Sequence, residues 1–109
     1  MVLDSGGRNP AAILLRAEAN RILGMAQANL GDLTQSEVTL SRAVEATIST
    51  FGMSTALADE ALLLKIRILK DLSTIHCRME QYDKAWNYAR NAIELALGLL
   101  SGAEYRVIP

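Results

Sequence analysis

Apolar residues along this 109-residue chain return at steps of three and four, the period of a helix with one buried side. In the first such stretch Ile13, Leu14, Ala17, Leu23, Ala26 and Leu30 recur mostly at these steps, while Arg16 and Glu18 turn elsewhere. Asn9-Pro10 supplies a start, with Asn as N-cap and Pro at the first helical position, where its missing N–H does no harm. A helix is therefore predicted over about 10–30, closed by Gly31, a residue suited to the left-handed position after a helix. Asp32 can cap a second helix, and Thr34 and Glu37 also have capping-box spacing. Its buried stripe would be Leu33, Leu40, Ala43, Val44, Thr47 and Ile48, and Phe51-Gly52 would end it.

A third helix, unusually long for a short domain, is predicted over about 54–79. It carries Ala61, Leu62, Lys65, Ile68, Leu69, Leu72, Ile75, His76 and Met79 along one broad side. Glu80-Gln81 makes the next turn without a glycine. The fourth helix follows from Tyr82 to about Leu100 through Ala85, Trp86, Ala89, Ala92, Ile93 and Ala96, and Ser101-Gly102 is expected to stop it. No stretch reads as a strand. The expected fold class is all-α, four main helices in two antiparallel hairpins. The divisions are a flexible leader over 1–9, hairpins over 10–52 and 53–100, and a tail over 101–109.

The two hairpins repeat one pattern 49 positions apart. Leu23-Gly24, Gly31, Leu33, Ser36, Leu40 and Ala43 line up with Leu72-Ser73, Glu80, Tyr82, Ala85, Ala89 and Ala92. A helical repeat cannot bury its apolar face alone and relies on stacked neighbours. The fourth helix shows the consequence. Its small residues Ala85, Ala89, Ala92 and Ala96 suit close packing within the hairpin, whereas Trp86, Ile93, Leu97 and Leu100 project bulk away from it. That second stripe is too apolar to leave in water, so Ile93, Leu97 and Leu100 are expected to contact another chain or the 103–109 segment folded back. Trp86 would either anchor a partner or pack on the neighbouring hairpin.

These residues resemble the tetratricopeptide repeat. The first copy, about 17–50, matches the family pattern at Leu23, Gly24, Gly31 and Ala43, and conservatively at Leu33, Ser36 and Leu40. The second, about 66–99, matches at Leu72, Tyr82, Ala85 and Ala92, with Ser73 and Glu80 in place of glycines and His76 in place of an aromatic. The 49-residue spacing exceeds the family's usual length of about 34. The stretch from Phe51 to Ala58 is similar to the connector of kinesin-light-chain-like repeats, without its usual His-Pro. The resemblance implies a groove lined by the first helix of each hairpin. It places Glu18, Arg21, Met25, Ala28 and Asn29 there in copy one, and Arg67, Lys70, Thr74, Cys77 and Arg78 in copy two.

Cations dominate that set although the whole chain is near neutral, with a net charge of −1. Arg and Lys supply charge-assisted donors, so the groove suits an acidic peptide or a free carboxylate, with Asn29 available to an extended backbone. The same residues also suit an ordinary solvated helix face. A sequence pI of about 5.8 speaks against a general nucleic-acid binder. Cys77 is the lone cysteine, so no internal disulfide can form, and it is expected to be an inert, half-buried thiol. No secretory signal and no run of the roughly 20 apolar residues needed to span a membrane is present, which points to an intracellular, cytoplasmic protein.

His76, the lone histidine, is expected to pack rather than to catalyse. There is no glycine-rich phosphate loop, nucleophile elbow or metal-ligand spacing, so no catalytic residue, metal or cofactor is expected. The expected function is a non-catalytic adaptor or scaffold that binds a peptide or helix of another protein. Two alternatives stand beside it: a homo-oligomerising structural module, and a sensor or docking segment of a larger regulatory protein.

Overall fold

The computed structural model describes residues 9–48 and 53–107, with side chains as far as Ser101. The leader over 1–8 and the stop expected at Phe51-Gly52 lie outside the described residues. Four helices follow one another: α1 (Pro10–Asn29), α2 (Leu33–Ala46), α3 (Thr55–Arg78) and α4 (Tyr82–Val107). The chain is all-α, with no strand among the described residues.

Local chemistry sets the helix starts. The Asn9 side chain accepts from the Ala11 N–H at 2.9 Å, Asp32 from Gln35 at 3.2 Å and Ser54 from Leu57 at 3.2 Å. Each satisfies an N–H that the first turn leaves without a partner. Asp32 alone caps α2, and Thr34 lies inside the helix. At the other end α2 stops at Ala46 with Thr47 as its cap, earlier than the sequence suggested. α4 does not stop at Ser101-Gly102 but continues to Val107. A single glycine costs a helix only about 1 kcal/mol, and no proline intervenes before Pro109.

The two helical turns match bond for bond. In the first, Gly31 N–H donates to Ala28 O at 3.0 Å and Asp32 N–H to Gln27 O at 3.0 Å. Forty-nine residues on, Glu80 N–H donates to Cys77 O at 3.0 Å and Gln81 N–H to His76 O at 2.8 Å. Both are Schellman closures, which need a left-handed residue after the cap. Gly31 adopts it at φ 91° and Glu80 at φ 60°.

α1 packs on α2 and α3 on α4, giving two hairpins, and α3 also packs on α1 and α2. The core lies where α3 meets the first hairpin: Leu14, Ala17, Ala28, Leu40, Ala43, Ala61, Leu64, Ile68, Leu72 and Ile75 are all buried there. On α1 this differs from the expected stripe. Leu14, Ala17, Gly24 and Ala28 are buried, while Leu23, Ala26 and Leu30 are exposed. The reason is steric. A Cβ at Gly24 would lie 2.8 Å from two carbons of the fully buried Leu40, so α2 approaches α1 closely only along its small residues. Ile48 is likewise exposed rather than buried.

Candidate protein-binding surface

Helices α1 and α3 carry the residues that the sequence assigned to a groove. Near its N-terminal end is a cleft of about 490 Å³ whose lining includes Leu14, Leu15 and Glu18 from α1 with Leu57, Leu64 and Arg67 from α3. Beyond it Arg21 spans the two helices. Its guanidinium lies 2.9 Å from a Glu18 oxygen and 3.2 Å from Asp71 Oδ2. The Glu18 hydrogen bond raises the Arg21 pKa, burial opposes that, and the Asp71 hydrogen bond raises it again. Arg21 thus stays charged and is committed to internal carboxylates, so it is not the free groove cation that the sequence suggested.

Met25 packs against the core and offers little to a ligand. Asn29 is exposed at the end of α1. Arg67, Lys70, Thr74 and Arg78 are all exposed on α3, and none of the three cations has an ion-pair partner among the described residues. They do not share one wall. Arg67 lines the cleft against α1, whereas Lys70 and Thr74 line a second groove, of about 340 Å³, against Ala89, Ala92, Ile93 and Ala96 of α4. The Thr74 hydroxyl donates to its own helix at Lys70 O, 3.2 Å away. Cys77 is exposed rather than half-buried.

On α4, Trp86, Ile93, Leu97 and Leu100 stand 64, 57, 59 and 60% exposed. They therefore form an uncovered apolar stripe, and the side chains of 102–107 lie outside the described residues.

His76 is 1% exposed and stacks on Tyr88, the ring centroids 5.1 Å apart and the planes 15° from parallel. Its Nδ1 meets Gln81 Oε1 at 2.6 Å. Nε2 has no hydrogen-bond partner and lies 4.0 Å from a Glu37 oxygen. This is the packing role expected of an aromatic at that position, with one nitrogen turned to a carboxylate. Among the described residues no three His, Cys, Asp or Glu side chains are grouped to hold a metal ion.

Asp71 is the residue that sequence reasoning passed over. It is buried in the middle of an apolar stripe, three residues after Ile68 and one before Leu72. A carboxylate there requires a cation across the joint, and that requirement was the available signal. No helix among the described residues is long and apolar enough to cross a membrane. The chain matches no protein-family model, no curated protein and no solved structure, so its residues alone carry the functional argument.

Proposed function

We propose that this chain is a non-catalytic protein-interaction module, a pair of tetratricopeptide-like hairpins that receives an acidic peptide or helix along α3, beside the cleft that α3 forms with α1. The observation that carries this reading is the charge on α3. Arg67, Lys70 and Arg78 remain exposed and unpaired along α3, while the buried acid of that helix, Asp71, is already matched by Arg21. A carboxylate-bearing ligand gains charge-assisted hydrogen bonds there, and the apolar cleft beside Arg67 can take a side chain. A reducing intracellular compartment suits the exposed lone thiol of Cys77.

The test is a fluorescence titration of an Asp- and Glu-rich peptide with a free C-terminus against the chain and its Arg67→Ala/Lys70→Ala/Arg78→Ala variant. Affinity should fall at least about tenfold in the variant, and the difference should narrow as salt rises. Equal affinity would remove this face from consideration. A second reading, self-assembly, is favoured by the uncovered stripe on α4 and leads to a separate proposal.

A further inference from the structure

The joint between the two hairpins has an unused duplicate at each end of the molecule. Within the chain α3 is seated in a core that includes Leu40, Ala43 and Val44 of α2, where Gly24 of α1 closes on Leu40. Moving each by 49 positions gives Ala89, Ala92, Ile93 and Ser73. These four residues line the groove of about 340 Å³ between α3 and α4, which no described helix fills. The seat that α1 and α2 offer to α3 is therefore repeated by α3 and α4, and it is open.

The other half of the joint is also repeated. α3 enters its seat with Leu64, Ile68, Leu72 and Ile75, all buried. Their counterparts 49 positions earlier are Leu15, Ala19, Leu23 and Ala26 on α1, and all four are exposed. Leu15 is 72% exposed, Leu23 50% and the adjacent Ile22 60%, so this helix presents an apolar face that the described residues leave largely uncovered. One chain thus carries both an empty seat and the helix face that the seat is built to take.

We propose that a second copy of this chain docks the outer face of its α1 into the α3–α4 groove, continuing the internal joint head to tail. The charges agree with that occupant. Where the internal joint pairs Arg21 with Asp71, the duplicate presents Lys70 and Ile22, so docking buries no unmatched carboxylate. Lys70 can keep its ammonium at the rim while its stem covers the apolar surface below. The contact is heterologous: it uses different surfaces on the two copies and leaves a free seat at one end and a free α1 face at the other. Further copies can add until a ring closes or the array stays open. This inference goes beyond the peptide-binding reading and centres on a different groove, sharing Lys70 and Leu15 with it.

Sedimentation velocity over a wide concentration range tests it. The chain should gain mass with concentration and pass beyond a dimer. Two variants block one half each: Ile93→Glu/Ala96→Arg closes the seat, and Ile22→Arg/Leu23→Glu, away from the cleft at Arg67, spoils the α1 face. Each variant alone should remain a monomer with unchanged helical circular dichroism, and a one-to-one mixture should form a heterodimer, because each retains the half that the other lacks. A chain that stays monomeric at every concentration would overturn the proposal, and that measurement needs no variant to fold. Variants that fail to complement, or a closed dimer in the parent chain, would also overturn it by showing a symmetric contact or none. Acidic-peptide binding measured on the monomeric variants reports on Arg67 and Arg78 separately, so the two readings fail independently.

Discussion

Ser36 and Ser73 close equivalent helix crossings, one in each hairpin, from opposite sides. Ser36 Oγ on α2 donates to the Gly24 carbonyl of α1 at 2.7 Å. Ser73 stands at the position equivalent to Gly24, and its Oγ on α3 donates to the Ala85 carbonyl of α4 at 2.8 Å. Ala85 in turn replaces Ser36. One hydroxyl serves each crossing, and which helix supplies it has been exchanged. The neighbouring layer behaves similarly: the Thr39 hydroxyl donates to Gln27 Oε1 at 2.7 Å, and at the same two positions in the second hairpin Tyr88 stacks on His76. What repeats is the spacing between helices, met by different side-chain chemistry.

The close approach at Gly24 makes a sharp expectation for Gly24→Ala. On an exposed helix this change would add about 1 kcal/mol of helix propensity. Here the new Cβ would lie 2.8 Å from Leu40 Cγ and Cδ2, in a side chain that is fully buried and has little room to retreat. Overpacking of this kind costs about 1–3 kcal/mol, so the overlap should win and stability should fall. Urea unfolding of the variant should show a lower midpoint with an unchanged slope. A midpoint at or above the parent's would mean that α1 and α2 can part without penalty.

Glu80 offers the opposite case. Its φ of 60° is the left-handed conformation that the turn demands, and it holds there a side chain that glycine would spare. The left-handed region costs a non-glycine residue about 1–2 kcal/mol. The extra freedom of glycine in the unfolded chain returns part of that gain. Glu80→Gly should therefore stabilise the protein by about 1 kcal/mol, a rise in Tm of about 5 °C for a domain of this size. Gly31→Ala should lower it by a similar amount, since Gly31 sits at φ 91° in the matching turn. Differential scanning calorimetry on both variants decides the sign, and a fall for Glu80→Gly would mean that the Glu80 side chain contributes more than its backbone costs.

Helix positions were legible because their signals are local. Asn9-Pro10, Asp32 and Gly31 act on backbone groups a few residues away, and the structure uses each of them. The buried face of α1 was not legible in the same way. Periodicity favours large apolar residues, so it pointed to Leu23 and Leu30, but the helix–helix distance is set by Gly24, and only small neighbours fit beneath it. The end of α4 was misplaced because Ser101 and Gly102 weaken a helix without breaking it. On the candidate surface the exposure of Arg67, Lys70 and Arg78 follows from their register on α3, whereas the fate of Arg21 depends on an acid 50 positions away. Contacts across such separations leave no spacing to read.

That long-range pair yields the most asymmetric expectation. The Asp71 side chain is 9% exposed and Arg21 26%, so solvent screens their 3.2 Å contact only weakly. Arg21→Ala would leave the Asp71 carboxylate buried without its cation, at a cost of about 2–3 kcal/mol. Asp71→Leu removes the buried charge itself. The remaining guanidinium still holds Glu18 at 2.9 Å, so this variant should lose about 1 kcal/mol or less. Replacing both, as Arg21→Met/Asp71→Leu, substitutes an apolar contact of similar volume and should return stability to within about 1 kcal/mol of the parent. Arg21→Met, Asp71→Leu and their combination form a cycle that urea unfolding can close, and the coupling between the two sites should be large compared with either the Asp71 change or the double change alone. Near-equal small losses from Arg21→Ala and Asp71→Leu, with no coupling, would mean that the pair neither holds the hairpins together nor dictates which residue faces which across the α1–α3 joint.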